Sequence, residues 1–162
     1  MSTSGQTTVR RATDDDADLL VAWHADPEVS RYWDDETFTR DEVLERLRRE
    51  PVDAWIVEAD GEPVGYLQSW WEDDEPRRGG LDGFLVPAAR GRGLMPDAAR
   101  ALAQSLLDSG WQYVTVDPYV GNERAVRAWA RAGFVEVSRG EKVLMRFETP
   151  EPDSAQPNQI RE

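Results

Sequence analysis

Between Gly80 and Gly133 the sequence alternates strand and helix, and this alternation leaves few folds open. Gly80–Val86 is a mostly apolar run stopped by Pro87. A glycine-rich turn then leads into an amphipathic helix predicted over Gly93–Leu107 and closed by Ser109-Gly110. Trp111–Asp117 reads as a strand ended by Pro118, Asn122 caps a helix through Ala132, and Gly133 stops it. Such a series implies a mixed sheet with helices on both faces. Ligand crevices in sheets of this kind lie at the carboxyl ends of strands.

The first half reads as one strand, two helical stretches and a hairpin. Thr7–Ala12 is the strand. Thr13 or Asp14 caps a helix to about Ala25, with acids in its first turn where the dipole favours them. Asp26-Pro27 starts a short turn ending near Trp33, and Thr39 and Glu42 have capping-box spacing for a helix to about Glu50. Asp53–Ala59 and Glu62–Trp71 flank Asp60-Gly61, a strong hairpin signal. Glu72–Arg78, with four acids, reads as a polar loop. Phe134–Ser138 and Lys142–Thr149 form a last hairpin before a Pro-rich polar tail. The expected order is β-α-α-β-β-β-α-β-α-β-β, one domain over 1–149 and a tail over 150–162, as suits a chain of 162 residues.

Composition excludes several classes of function. There is no cysteine, hence no disulfide, thiolate metal site or cysteine nucleophile. The single histidine, His24, sits among core residues and leaves no His-rich metal site. A net charge of −13 repels nucleic acid and anionic membrane. It serves solubility, or it attracts a cationic substrate. The basic residues are all Arg except Lys142, a skew that resembles coding bias. No apolar run approaches the length of a membrane span, and no apolar leader is visible, so a cytoplasmic protein is expected.

The turn after Val86 carries the strongest chemical signal. Ala88-Ala89-Arg90-Gly91-Arg92-Gly93-Leu94 joins a strand end to a helix start. Glycines let backbone N–H groups approach an anion, and the helix start adds orphan donors. The arginines add positive charge. A pyrophosphate fits such a turn. It lacks the Walker lysine and the dinucleotide-binding pattern.

This turn, followed by Asn122-Glu123-Arg124-Ala125-Val126-Arg127-Ala128-Trp129 and Gly133-Phe134, resembles the GNAT N-acetyltransferase superfamily over roughly Val9 to Phe147. Within it, Gly61–Ser69, Gly80-Leu81-Asp82, Asp117-Pro118 and the cluster Tyr32-Trp33-Asp34 resemble segments of aminoglycoside 6′-N-acetyltransferases. The resemblance implies an α/β fold of the α+β, mixed-sheet kind: about seven mostly antiparallel strands, splayed in the middle. It also implies acetyl-CoA as co-substrate and no metal. The partner implied is a small cationic amine, bound by a monomer or homodimer.

Transfer of an acetyl group to an amine needs a polarised thioester carbonyl, a neutral amine and a stabilised leaving thiolate. The resemblance implies that the backbone of Leu85 and Val86 pairs with pantetheine and polarises the carbonyl. It implies that Arg90, Gly91, Arg92, Gly93, Leu94 and Met95 hold the pyrophosphate, and that Asn122, Ala125 and Trp129 flank the coenzyme. Asn122 is equally a good helix N-cap. Asp82 lies in an apolar strand, where a carboxylate costs free energy unless paired or open to a cleft. It reads as general base or amine positioner, with a solvent-facing edge strand as the alternative. Asp117 reads as an ammonium anchor, or as a turn-starting Asp-Pro. Trp33 and Trp70 suit an aromatic wall, with Gln68 on the same strand face as Trp70. Trp23 and Trp55 read as core, and the acids Glu72–Glu75 as an anionic rim or as solvated surface.

Two positions depart from the family pattern. Met95, followed by Pro96, stands where Gly or Ala is usual, and a bulky side chain there is expected to crowd the coenzyme or shift the first helical turn. Trp129 replaces a Tyr thought to protonate the thiolate, and an indole N–H gives up no proton. Siderophore-type hydroxylysine acylation, polyamine or protein acetylation, and a non-catalytic acyl-CoA-binding module stand as alternatives.

Overall fold

A computed structural model describes residues 2–3, 6–31 and 33–148, so Tyr32 and the Pro-rich tail lie outside it. The strands are β1 Ser2–Thr3, β2 Thr8–Arg11, β3 Val52–Ala59, β4 Glu62–Asp74, β5 Arg77–Leu85, β6 Tyr113–Val116, β7 Phe134–Arg139 and β8 Val143–Phe147. They form one sheet in the order β1-β2-β3-β4-β5-β6-β8-β7. Only β5 and β6 run parallel, while every other neighbouring pair is antiparallel. The two-residue β1 accounts for the strand beyond the expected seven.

The helices are α1 Ala17–Ala25, α2 Pro27–Ser30, α3 Arg40–Arg48, α4 Leu94–Asp108 and α5 Glu123–Ala132. They cover both faces because successive strand residues point opposite ways. Ile56, Tyr66 and Phe84 pack with Leu20, Val29 and Val43 under α1–α3. Their strand neighbours Val57, Leu67 and Leu85 pack with Leu102, Ala103 and Trp129 under α4 and α5. Trp55 is buried and its indole N–H donates to Ser69 Oγ at 2.9 Å.

The local signals act as the residues dictate. Asp60 and Gly61 take φ of 53° and 80°, as a tight hairpin turn between right-twisted strands requires. Thr39 Oγ1 accepts from Glu42 N–H at 3.2 Å and Glu42 returns the bond to Thr39 N–H at 2.8 Å.

The expected polar loop over Glu72–Arg78 is a correction. β4 and β5 continue through it as a ladder, with Asp73 opposite Arg78 and Asp74 opposite Arg77, and only Glu75-Pro76 turns. The hairpin outruns the core here, so apolar alternation fades while pairing persists. The pairing of this acidic stretch with an arginine-bearing strand is the signal that composition alone hid. Arg77 also stacks 3.9 Å from the centre of the Trp71 ring.

The sheet opens in its middle. β5 pairs with β4 as far as Leu85, but with β6 only over Arg78–Gly80. Past Gly80 the two parallel strands diverge, and the start of α5 lies at the gap. Gly80 makes that last contact possible, because a Cβ there would sit 2.6 Å from Thr115 O and 2.7 Å from the Trp70 ring.

Candidate active site

A cleft of about 390 Å³ occupies the gap. Gln68 and Trp70 reach it from β4, and Asp82 from β5 directly opposite Gln68 in the register. Asp117 enters from the end of β6, Asn122, Ala125 and Trp129 from one side of α5 and its N-cap, and Trp33 from beyond α2. Residues far apart in sequence that were singled out for the acceptor side thus line one cavity.

Asp82 is the electrostatic centre of this cleft. At Asp82 β5 is paired with β4 alone, so the strand is open on its β6 side there, and the half-buried carboxyl lines the cleft. Burial, followed by the nearby charge of Asp117, pushes its carboxyl up to about 6. A hydrogen bond from Gln68 and the charge of Lys142 act the other way. The Gln68 bond has a fixed sense, since Tyr66 Oη–H donates to Gln68 Oε1 at 3.0 Å. This leaves the Gln68 amide N–H₂ as donor to Asp82.

Four further charged or aromatic residues line the cleft that sequence reasoning did not assign to it: Asp34, Arg46, Tyr119 and Lys142. Asp34 is reached through a left-handed backbone, φ 55°, which Asp tolerates better than most residues. Arg46 lies over the Phe38 ring at 4.5 Å, and burial, then the charge of Arg49, disfavours its charged form. Lys142 approaches Asp117 to 3.7 Å. These groups come from loops and a helix end, with no shared motif. The single Lys in an Arg-rich chain, and the Tyr32-Trp33-Asp34 cluster for Asp34, were their sequence signals.

The glycine-rich turn joins the end of β5 to the start of α4, and its residues do not line this cleft. Gly91 and Gly93 have φ of 80° and 75°, and a Cβ on either would meet open space. The first i→i−4 bond of α4 runs from Asp97 N–H to Gly93 O, so the Leu94 and Met95 N–H groups precede the helical ladder. Open glycines beside orphan donors fit a pyrophosphate. Arg92 is exposed beside them.

Arg90 is a correction to its expected role as a phosphate-facing charge. Its guanidinium donates to Glu28 O at 2.7 Å and Leu85 O at 3.3 Å, and its N–H bonds Pro87 O at 3.2 Å. It ties the turn to α2 and to β5. Val86 N–H is likewise engaged, by Val64 O at 2.9 Å, so it is not the thioester-polarising donor. Alternation along the ladder turns Leu85 N–H away from β4, toward the gap.

Residues 12–142 match the Acetyltransferase (GNAT) domain family. The chain belongs to that family. As a GNAT acetyltransferase it is 32% identical over 146 residues to the aminoglycoside N(6′)-acetyltransferase type 1 of Klebsiella pneumoniae, covering 78% of this chain and 73% of that one. A structure of AAC(6′)-Ib with coenzyme A and kanamycin superposes with a TM-score of 0.78 at 27% identity, covering 94% of this chain and 99% of that one. Another, with paromomycin and acetyl-CoA, gives 0.75 at 28% identity over 88% and 93%.

The two departures of this GNAT acetyltransferase from its family pattern have different outcomes. The expectation that Met95 crowds the coenzyme is corrected: its side chain is 9% exposed and packs in the core beneath α4. Trp129 stays at the cleft wall, braced edge-on against Phe134 with ring centres 5.6 Å apart. Asn122 caps α5 through Oδ1, which accepts from Ala125 N–H at 3.2 Å. His24 lies in an aromatic box of Trp33, Phe38, Tyr66 and Phe84. Burial, with a smaller push from Arg46, lowers it to about 4, so it is a neutral, buried residue behind Trp33 at physiological pH. Trp23 is half-buried against Phe84.

Proposed function

We propose that this acetyltransferase uses acetyl-CoA to acetylate the 6′-amine of an aminoglycoside by direct attack of the amine on the thioester. The observation that carries the reading is the half-buried Asp82 carboxyl, opposite Gln68 in a cleft between sheet and helix and pushed up to about 6. A base of that strength is a carboxylate at neutral pH and takes the proton an ammonium must lose before the neutral amine attacks. The similarity to aminoglycoside N(6′)-acetyltransferases supports the acceptor class.

The N–H groups of Gly91 to Met95 would hold the pyrophosphate, with Arg92 supplying charge nearby. The start of α5, with Asn122, Ala125 and Trp129, would flank the pantetheine arm, and Leu85 N–H would polarise the carbonyl. Bound acetyl-CoA supplies an acetyl group activated as a thioester. Asp82 first passes the ammonium proton on to water, then takes the second N–H proton as the N–C bond forms and the C–S bond breaks. Gln68, steered by Tyr66, keeps the Asp82 carboxylate aimed at the amine. Trp33 and Trp70 wall the sugar ring, and Asp117 takes a second ammonium. The Trp129 indole can steady the thiolate by a hydrogen bond, so the thiolate takes its proton from water.

Product analysis tests the reading. NMR of the kanamycin product is expected to show one acetyl group on the primary aminomethyl nitrogen. Acetyl on a ring amine instead contradicts the proposed regiochemistry.

A further inference from the structure

The chain's one lysine stands inside the cleft already described. Lys142 Nζ lies 3.7 Å from Asp117 Oδ2 and 4.9 Å from the centre of the Tyr119 ring. A carboxylate beside an aromatic face is the surrounding a substrate ammonium would find at a cation subsite. Here an ammonium of the protein holds that place.

The backbone behind this contact is anchored while the charged end is not. Tyr119 and Lys142 form an antiparallel bridge. Val120 N–H bonds Glu141 O at 2.9 Å, and Val143 N–H bonds Pro118 O at 2.8 Å. The segment carrying Asp117 and the entry to β8 are therefore zipped together around the pair. The Lys142 and Asp117 side chains remain 46% and 42% exposed. An ion pair that open to water is weak, worth about 0–1 kcal/mol. It is strong enough to occupy the subsite and weak enough to give way.

We propose that Lys142 is a built-in stand-in for an acceptor ammonium. It occupies the Asp117–Tyr119 subsite when no acceptor is present and is displaced when a multiply charged amine binds. This rests on reading the cleft as an amine-acceptor site. Lys142 then acts as a specificity-determining residue. An acceptor with a second ammonium in reach of Asp117 must displace it, whereas a mono-amine that reaches only Asp82 need not. The cleft keeps an internal counter-ion between turnovers, and acceptors that cannot replace it gain nothing from Asp117.

A single lysine makes the test direct. Protein carrying ¹⁵N at the lysine Nζ gives one side-chain resonance, to be followed by NMR during titration with kanamycin and with spermine. Calorimetry on the same samples measures binding. At saturation the resonance is expected to move toward its position in Asp117→Asn. Lys142→Met is expected to lower KM for multiply charged acceptors about two- to five-fold, by more than for a mono-amine and by more than any change in kcat. Lys142→Arg should restore the wild-type KM. The proposal is overturned by ligands that bind without moving the resonance, by ligands that do not bind at all, or by a Lys142→Met variant whose KM is unchanged or higher. Failure of the catalytic reading looks different: ligands bind and move the lysine, but no acetyl group is transferred.

Discussion

Asp82→Asn is expected to lower kcat/KM by about 10²–10⁴-fold, the usual contribution of a positioned general base. In the wild type, kcat/KM should rise with pH through about 6 as Asp82 becomes a carboxylate, and this limb should vanish in the variant. The sign for stability runs the other way. A carboxyl whose folded pKa lies above its ordinary value costs stability once the pH exceeds both, here on the order of 2–3 kcal/mol at neutral pH. Asp82→Asn should therefore melt at the same temperature or higher while losing activity. A variant that loses activity only because it unfolds would contradict this. Nearly full activity across pH 5–8 would remove Asp82 from the chemistry.

Asp16→Ala is expected to cost about 2–4 kcal/mol of folding stability and to lower the midpoint of thermal unfolding by roughly 5–12 °C. Asp16 is 6% exposed and receives both Arg10 guanidinium N–H groups at 2.9 Å, together with Thr13 N–H at 2.7 Å. The substitution removes the bidentate partner of Arg10 and half of the capping box of the 3-10 turn Asp14–Asp16 that leads into α1. Arg10 keeps Glu58, at 3.0 Å, and the Arg11 carbonyl, at 3.2 Å. The Arg10 bond, and after it the Thr13 N–H bond, holds the Asp16 carboxyl below its ordinary value. Its stabilisation is thus present above the usual carboxylate range and is lost as pH falls through the depressed value. Urea unfolding at pH 7 and at pH 3 checks both statements. A loss below about 1 kcal/mol at pH 7 would mean that this network behaves as an ordinary surface pair. α1 carries Trp23 and His24, which pack on Phe84, and His24 also meets the cleft residue Trp33, so the anchor at Asp16 bears on the cleft as well as on the fold.

What the sequence disclosed depended on how local the signal was. Asp60-Gly61, the Thr39 box and the Asn122 cap are decided within four residues, and each forms as the side chains require. The alternation after Gly80 located the helices, and the break in pairing past Gly80 then opened the cleft. Asp82 was legible because a carboxylate in an apolar strand needs a reason. Arg46 and Tyr119 were not, since one belongs to a solvated helix and the other follows a turn proline, and only the tertiary fold brings them together. Arg90 shows the opposite limit. An arginine in a phosphate-binding pattern suggests a phosphate ligand, but two nearby carbonyls, Glu28 O and Leu85 O, claim its guanidinium. No sequence pattern announces orphan carbonyls.

The central claim is that this cleft moves an acetyl group from acetyl-CoA to an aminoglycoside amine. The most direct measurement is thiol release from acetyl-CoA with kanamycin, spermine and a peptide offered in turn, with coenzyme A binding followed by calorimetry. The account predicts release with kanamycin at a higher kcat/KM than with spermine or the peptide, one thiol for each acetylated product. No thiol released with any of the three, and no heat of coenzyme A binding, would contradict it.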